Sequence, residues 1–300
     1  MGVYTIKEGG RGGAVGHLLE RECAFQTISL LSLILHDEQD LVIAQVAEAL
    51  SGLIESLDQI ERPNLSYKFA ELLTWLEQKG PEHPELPMLE FQLFDYVFNH
   101  EAANALYKSL GNSCDSFAHV MQCLFSADGN GVPKELRSAF KQRCWSVLYY
   151  WQRLPGLRDD GIIDGEHLAE WINGVRTRLN ADGHERDYDG QIGGVLASSP
   201  DGKDGMWPAE ELRDILESLR NPKLEEGLFR GRLNRRGVTI RGIFEGGMQE
   251  TSLAARYRED ARRMNAQWPR TAGILNRLAE DYEREALRED AEAEQWGDQD

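Results

Sequence analysis

Cysteine is scarce in this 300-residue sequence, and its four cysteines stand far apart with no CxxC pair among them. Four such residues do not make a disulfide scaffold, so we expect reduced thiols in a reducing compartment. Histidine is sparse too: seven residues are scattered along the chain, and no HExxH motif occurs. Because neither residue type has metal-ligand spacing, we expect no metal site and no cofactor.

Long apolar runs are also lacking. The longest is Leu30–Leu35, whereas a helix that crosses a bilayer needs about 20 apolar residues. The N-terminus shows no basic segment followed by an apolar core and a cleavage site, which predicts that there is no signal peptide. We therefore expect a cytoplasmic protein with no membrane contact.

Positive charge is in deficit. Lys and Arg total 33 against 51 Asp and Glu, which gives a formal net charge of −18. This balance repels nucleic-acid phosphates, so any contact with DNA or RNA must be local. The hydrophobic content of 41% is that of a globular protein, and the length allows one large domain or two ordinary ones.

No catalytic motif is complete in the sequence. GxSxG is absent, no Ser/His/Asp or Cys/His set is evident, and the glycine-rich stretch Gly9–Gly16 lacks the spacing of a dinucleotide-binding fingerprint. We assign no catalytic residue and favour a protein that is not an enzyme. The alternative is a metal-dependent nuclease or hydrolase whose ligands are dispersed over Asp-Gly turns, namely Asp159, Asp160, Asp164, Asp201 and Asp204.

Helical periodicity is what the chain has in abundance. Apolar residues recur at steps of three and four over most of its length, which predicts amphipathic helices. One long helix is predicted over Met88–Leu110, another with Asp164 as its N-cap, and two more beginning at Trp207-Pro208 and at Pro269. The predicted fold class is all-α, as a helical bundle or a HEAT-like helical stack.

The predicted organisation has two helical domains. Residues 1–15 form a flexible N-terminus, 16–112 an N-terminal helical domain, 113–295 a C-terminal helical domain, and 296–300 a frayed tail. The second domain carries one short β-hairpin near residues 228–243. Its strands, Leu228–Leu233 and Val238–Ile243, flank a turn in which Gly237 takes a positive φ.

The predicted hairpin concentrates positive charge within this acidic chain. We call it the arginine segment after its five arginines: Arg230, Arg232, Arg235, Arg236 and Arg241. Guanidinium groups suit phosphate and carboxylate, so we predict a site that binds a partner or an anion. Reversing the charge of Arg235 and Arg236 should then weaken partner binding while leaving thermal stability nearly unchanged.

Internal neutralisation is the alternative interpretation of the arginine segment. The closing helix carries six acidic residues that could fold back onto it: Glu280, Asp281, Glu283, Glu285, Glu289 and Asp290. Surface ion pairs contribute little individually, but a network of them could hold the segment in place. Unfolding of the charge-reversed protein would favour this interpretation.

Five longer motifs carry a resemblance to a known group of proteins. They are WQRLPG (Trp151–Gly156), IDGEHLAEWI (Ile163–Ile172), QIGGVLASSPDGKDGMWP (Gln191–Pro208), EEGLFRGRLNRRGVTIRGIFEGGMQE (Glu225–Glu250) and WPRTAGILNRLAEDYEREA (Trp268–Ala286). Over residues 117–295 the chain resembles the C-terminal region of large, uncharacterised bacterial multidomain proteins of conflict or defence type. The resemblance implies a helical appendage and assigns no catalytic residue.

These observations favour a non-enzymatic adaptor or regulatory subunit of a bacterial defence-type (antiviral) complex. Helical stacks present extended surfaces that suit a protein partner. Direct contact with nucleic acid is expected, if anywhere, only through the arginine segment. A second hypothesis follows from the net charge: an acidic mimic of nucleic acid that inhibits a DNA-binding protein.

Overall fold

The structure is a computed structural model that describes residues 66–96, 103–125, 134, 136–180, 188–236 and 246–297, together with helical positions 43, 46, 47, 50 and 51. These residues form eleven named α-helices and one 3-10 turn, and no strand is present among them. A single antiparallel bridge joins Leu157 and Ile163. The all-α fold class predicted from the sequence is therefore confirmed.

The helices are α1 (Ser66–Lys79), α2 (Leu86–Gln92), α3 (Asn104–Asn112), α4 (Cys114–Phe125), α5 (Arg137–Tyr150), α6 (Gly165–Asn180), α7 (Tyr188–Leu196), α8 (Glu210–Leu219), α9 (Pro222–Asn234), α10 (Met248–Met264) and α11 (Pro269–Gly297). The 3-10 turn is Phe94–Tyr96. Of the helices described, none combines the length and the apolar content that crossing a bilayer requires.

The chain divides into two compact units. Unit 1 comprises residues 1–110 and 122–151, and unit 2 comprises residues 111–121 and 152–300. The described residues 122–125, 134 and 136–151, which the sequence analysis assigned to the C-terminal domain, therefore belong to unit 1. The last residues of α4 and all of α5 belong to that unit.

Unit 1 packs α1, α2 and α5 around the 3-10 turn. Phe94 in that turn is fully buried, because the turn directs its ring into the core. The single helix predicted over Met88–Leu110 is wrong, since α2 ends at Gln92 and α3 begins afresh at Asn104. The buried carboxylate of Glu90 accepts a hydrogen bond from the amide of Leu106 at 2.6 Å. It thereby satisfies one of the amides that the first turn of α3 leaves without a partner inside the helix.

Unit 2 is built from two closely packed helix pairs, α10 with α11 and α7 with α9. Helices α8 and α9 both contact α11, which links the two pairs into one core. Two sequence-predicted helix starts are confirmed here. Asp164 accepts a hydrogen bond from the amide of His167 at 3.0 Å and caps α6, and α11 begins at Pro269.

Glycines allow α7 and α9 to approach each other at backbone distance. A Cβ on Gly227 would overlap the carbonyl of Gly190 and lie 2.7 Å from its carbon. A Cβ on Gly193 would lie 2.7 Å from the amide nitrogen of Leu228. Because real Cβ contacts are longer, only glycine fits at these two positions while the helices remain this close.

The predicted β-hairpin is wrong for its first strand, since Leu228–Leu233 lies within α9. Asn221 caps this helix by accepting hydrogen bonds from the amides of Lys223 and Leu224, and Pro222 occupies its first turn. The second predicted strand, Val238–Ile243, and the Gly237 turn lie outside the described residues.

Candidate functional site

Arg230 and Arg232 would share one face of a strand, but helix α9 places them on different sides. Arg230 projects into solvent with 73% of its side chain exposed, and its Nε lies 2.6 Å from Glu226 on the same helix. Arg232, two residues on, contacts buried aromatic rings instead. Two residues advance a helix by more than half a turn, so the two guanidinium groups do not form a common anion site.

Arg232 and Arg236 contact three aromatic rings, those of Trp207, Tyr257 and Tyr282. We call these five side chains the arginine–aromatic stack. The Arg232 guanidinium lies 4.6 Å from the centre of the Trp207 ring, and its Nε donates to the hydroxyl of Tyr257 at 3.0 Å. The rings of Tyr257 and Tyr282 are stacked with centres 5.8 Å apart. Arg236 lies 5.2 Å from the centre of the Tyr282 ring. Cation–π contacts of this kind contribute about 0.5–2 kcal/mol each, so the stack is a stabilising element of unit 2.

Arg236 also bridges two acidic side chains. It forms an ion pair with Glu250, which is fully buried in the first turn of α10, and a second with Glu285 of α11 at 3.1 Å. Only 14% of the Arg236 side chain is exposed. The pair with Glu285 shows that one arginine of the segment is neutralised by the closing helix.

Arg235 is largely enclosed, and its Nη2 lies 3.4 Å from the carbonyl oxygen of Gly194 on α7. Burial lowers the pKa of Arg235, and the nearby charge of Arg232 lowers it further. The predicted test by charge reversal at Arg235 and Arg236 therefore perturbs the interior as well as any binding surface. Arg241 lies outside the described residues.

A surface cavity of about 450 Å³ opens where the arginine segment meets α11. We call it the mixed-charge cavity because its lining carries both signs: Leu233, Arg236, Asp281, Tyr282, Arg284, Glu285 and Arg288. Burial raises the pKa of Tyr282 to about 12, so its hydroxyl stays neutral and able to donate.

Two of the cavity's arginines are exposed to solvent. Arg284 pairs with Asp281 one turn earlier, and Arg288 lies 3.8 Å from Glu285 and 3.3 Å from Glu289. The side chains of Arg284 and Arg288 are 69% and 64% exposed. Exposed pairs of this kind contribute about 0–1 kcal/mol, so an external anion could replace the internal one at little cost.

The carboxylates considered as dispersed metal ligands are engaged by arginines or by backbone. Four of the five form ion pairs: Asp159 with Arg153, Asp164 with Arg158, Asp201 with Arg256 and Asp204 with Arg213. The fifth, Asp160, accepts a hydrogen bond from the amide of Ile162. No group of three or more His, Cys, Asp or Glu side chains in the described residues is arranged to hold a metal ion.

Arg213 is a key residue that the sequence analysis missed. It is fully buried in α8, with Nη1 2.6 Å and Nη2 2.9 Å from the two carboxylate oxygens of Asp204. Hydrogen bonds from Arg213 hold the pKa of Asp204 below its usual value. The sequence could have predicted the burial of Arg213, because this residue lies with Leu212 and Leu216 on the apolar side of the amphipathic helix α8.

Aromatic residues on the outer side of α5 are a second feature that periodicity alone did not reveal. Trp145 and Tyr149 are 48% and 73% exposed, although both are large apolar side chains. They fall four residues apart among the polar positions of the helix. Aromatic side chains at such positions are typical of surfaces that bind other molecules.

Comparison of the chain with protein-family models, with curated proteins and with solved structures gives no match.

Proposed function

We propose that the protein is a non-enzymatic helical adaptor or regulatory subunit of a bacterial defence-type (antiviral) complex in the cytoplasm. Its contact with a partner protein lies at the mixed-charge cavity. The all-α architecture supports this function, since packed helices offer broad and rigid surfaces to other proteins. The resemblance of residues 117–295 to defence-type proteins supports the proposed setting.

The mixed-charge cavity is the observation that carries the proposal. It places the exposed guanidinium groups of Arg284 and Arg288 beside Arg236 and the ring of Tyr282. Arginine and tyrosine are enriched where protein interfaces bind most strongly. An acidic segment of a partner would exchange its carboxylates for those of Asp281 and Glu285, forming forked hydrogen bonds in a recess that excludes part of the solvent.

The roles of the other charged side chains support binding rather than catalysis. Four of the five carboxylates considered as metal ligands are paired with arginines, as Asp204 is with buried Arg213. An acidic mimic of nucleic acid would need ordered, unpaired carboxylates on one face. On α11, Glu283 and Glu285 are instead paired with Arg258 and Arg236.

Neutralising the two exposed arginines of the cavity tests the proposal. We expect Arg284→Gln combined with Arg288→Gln to reduce partner capture at least tenfold, because the cavity loses its accessible positive charge. Stability should change by no more than about 0.5 kcal/mol per site, since both side chains are exposed. The measurement is affinity purification of the tagged full chain from its native host, with quantitative mass spectrometry of the copurifying proteins.

A matched control is available on the neighbouring helix α10. Arg262→Gln with Arg263→Gln also removes two exposed arginines, each paired with an acidic residue three positions earlier. This control should capture the same proteins as the wild type. Equal capture by all three proteins would contradict a contact at the mixed-charge cavity.

A further inference from the structure

The mixed-charge cavity presents two exposed guanidinium groups to the same entering group. Arg284 and Arg288 lie four residues apart on α11, and residues at this spacing are neighbours on one side of a helix, with Cβ atoms about 5–6 Å apart. Both side chains line the cavity and are more than half exposed. One anion that enters the cavity can therefore engage both guanidinium groups.

The third arginine of the cavity is already held in place by the protein. Arg236 pairs with buried Glu250 and with Glu285, and its guanidinium lies 5.2 Å from the centre of the Tyr282 ring. Because these contacts fix Arg236, an anion entering the cavity does not have to order it.

The internal partners of Arg288 keep other contacts when an external anion replaces them. Arg288 lies 3.8 Å from Glu285, and Glu285 also pairs with Arg236 at 3.1 Å. Glu289, 3.3 Å from Arg288, has a further interaction within the molecule. Neither carboxylate is left without a partner, so Arg288 can be released to an external anion at little cost.

Asp281, the partner of Arg284, is the one carboxylate that would have to be hydrated instead. A quarter of its side chain is exposed, since 25% of it is accessible to solvent, and it lines the open cavity. Exposed ion pairs of this type contribute little to stability. The exchange therefore favours an external anion that gives the two arginines more than Asp281 and Glu285 already do.

A phosphate monoester meets this requirement better than a carboxylate. A carboxylate of a partner would only replace the carboxylates that the two arginines already contact. A phosphate monoester carries a charge of about −1.5 to −2 at pH 7 and three acceptor oxygens, so it can accept forked hydrogen bonds from two guanidinium groups. The cavity volume of about 450 Å³ also accommodates the side chain to which the phosphate is attached.

We propose that the mixed-charge cavity binds a phosphorylated side chain of the partner protein, with the phosphate bridging Arg284 and Arg288. This inference rests on the proposed function, because it names the group of the partner that enters the cavity. It adds a form of regulation, since the partner binds in its phosphorylated form and is released when the phosphate is removed.

Calorimetric titration of the full chain tests the proposal at about 0.15 M salt, which screens the repulsion from distant acidic residues. The probes are capped five-residue alanine peptides whose central residue is phosphoserine, glutamate or serine. The wild type should bind the phosphoserine peptide at least tenfold more tightly than the glutamate peptide and should not bind the serine peptide. Arg284→Gln with Arg288→Gln should lose this binding, whereas the control Arg262→Gln with Arg263→Gln should retain it.

A charge-preserving variant keeps the test decisive if the glutamine variant does not fold. Arg284→Lys with Arg288→Lys retains both charges but not the forked hydrogen bonds, so it should bind the phosphoserine peptide more weakly than the wild type. Absent binding, equal affinity for the glutamate peptide or unchanged affinity in the lysine variant would overturn the proposal. Equally tight binding of inorganic phosphate or of a single-stranded deoxythymidine decamer would do the same.

Phosphatase treatment of the host lysate separates this inference from the proposed function. After treatment, capture by the wild type should fall at least tenfold, to the level of the glutamine variant. Undiminished capture that still depends on Arg284 and Arg288 would refute the phosphate and leave the proposed contact intact. Capture that is independent of both arginines in either lysate would contradict the proposed contact, and this inference with it.

Discussion

Arginine side chains in unit 2 act as internal connectors as well as surface charges. Arg213 is fully buried and Arg236 nearly so, and each binds a carboxylate while lying over an aromatic ring. The planar guanidinium group suits this role, because it donates hydrogen bonds in its plane and stacks through its faces. Local charge in the sequence therefore does not identify which arginines are available to a partner.

Removing the charge of Arg236 should destabilise the protein. Arg236→Gln leaves the buried carboxylate of Glu250 without its charge partner, and we expect a loss of about 3 kcal/mol. The measurement is urea unfolding followed by circular dichroism. Arg230→Gln, in helix α9 shortly before Arg236 and 73% exposed, should change stability by less than about 0.5 kcal/mol. Similar losses in both variants would refute the structural role assigned to Arg236.

Glu90 in unit 1 should make stability depend on pH. Burial raises its pKa to about 7 from 4.5; the amides of Leu106 and Ala105 oppose this rise, and the charge of Glu77 adds to it. Because the folded-state pKa is the higher one, protonation favours the folded state. This contribution is complete below pH 4.5 and is lost as the pH rises through about 7.

The Glu90→Gln variant isolates that contribution. Its amide oxygen can still accept from Leu106, but it does not titrate. Relative to this variant, we expect the wild type to lose up to about 3 kcal/mol between pH 4.5 and 8. The measurement is the difference in unfolding free energy between the two proteins at several pH values. Parallel stability curves would show that Glu90 does not titrate as described.

At the scale of elements, the contact between α7 and α9 depends on glycine. Gly227→Ala would force a methyl group into the carbonyl of Gly190 and separate the helices. We expect a loss of about 1–3 kcal/mol, measured by thermal or urea unfolding. Gly273→Ala is the matched control, since a Cβ there meets nothing within 4 Å in α11 and should stabilise by up to about 1 kcal/mol. Equal effects in the two variants would contradict the close approach.

The same contact explains why the predicted hairpin is wrong. Considered without distant contacts, the segment resembles two short strands, Leu228–Leu233 and Val238–Ile243, on either side of a turn. In the structure, Gly227 and Gly231 fall one turn apart in helix α9 and both face α7, so this part of the segment packs as a helix. The Asn221-Pro222 start is a local helix signal that could have corrected the prediction.

At the scale of the whole molecule, many acidic side chains are paired with arginines. The chain has a large excess of acid, yet many carboxylates in the described part of unit 2 lie against arginines from other helices. Examples are Arg258 with Glu283 and Arg270 with Glu225. The exposed side chains that remain, such as Glu292 and Glu294, account for the acidic surface. The net charge indicates solubility and general repulsion of nucleic acid, but it does not locate a binding site.

The sequence by itself determined the all-α class and helix starts such as those at Asp164 and Pro269. Periodicity and capping are properties of a few neighbouring residues, so they can be recognised without knowledge of distant contacts. Only the tertiary structure decided that Arg232 meets Trp207, that Arg236 meets Glu250 and Glu285, and that Arg213 is buried. Most of these partners come from different helices, and the packing of α8, α9, α10 and α11 brings them together.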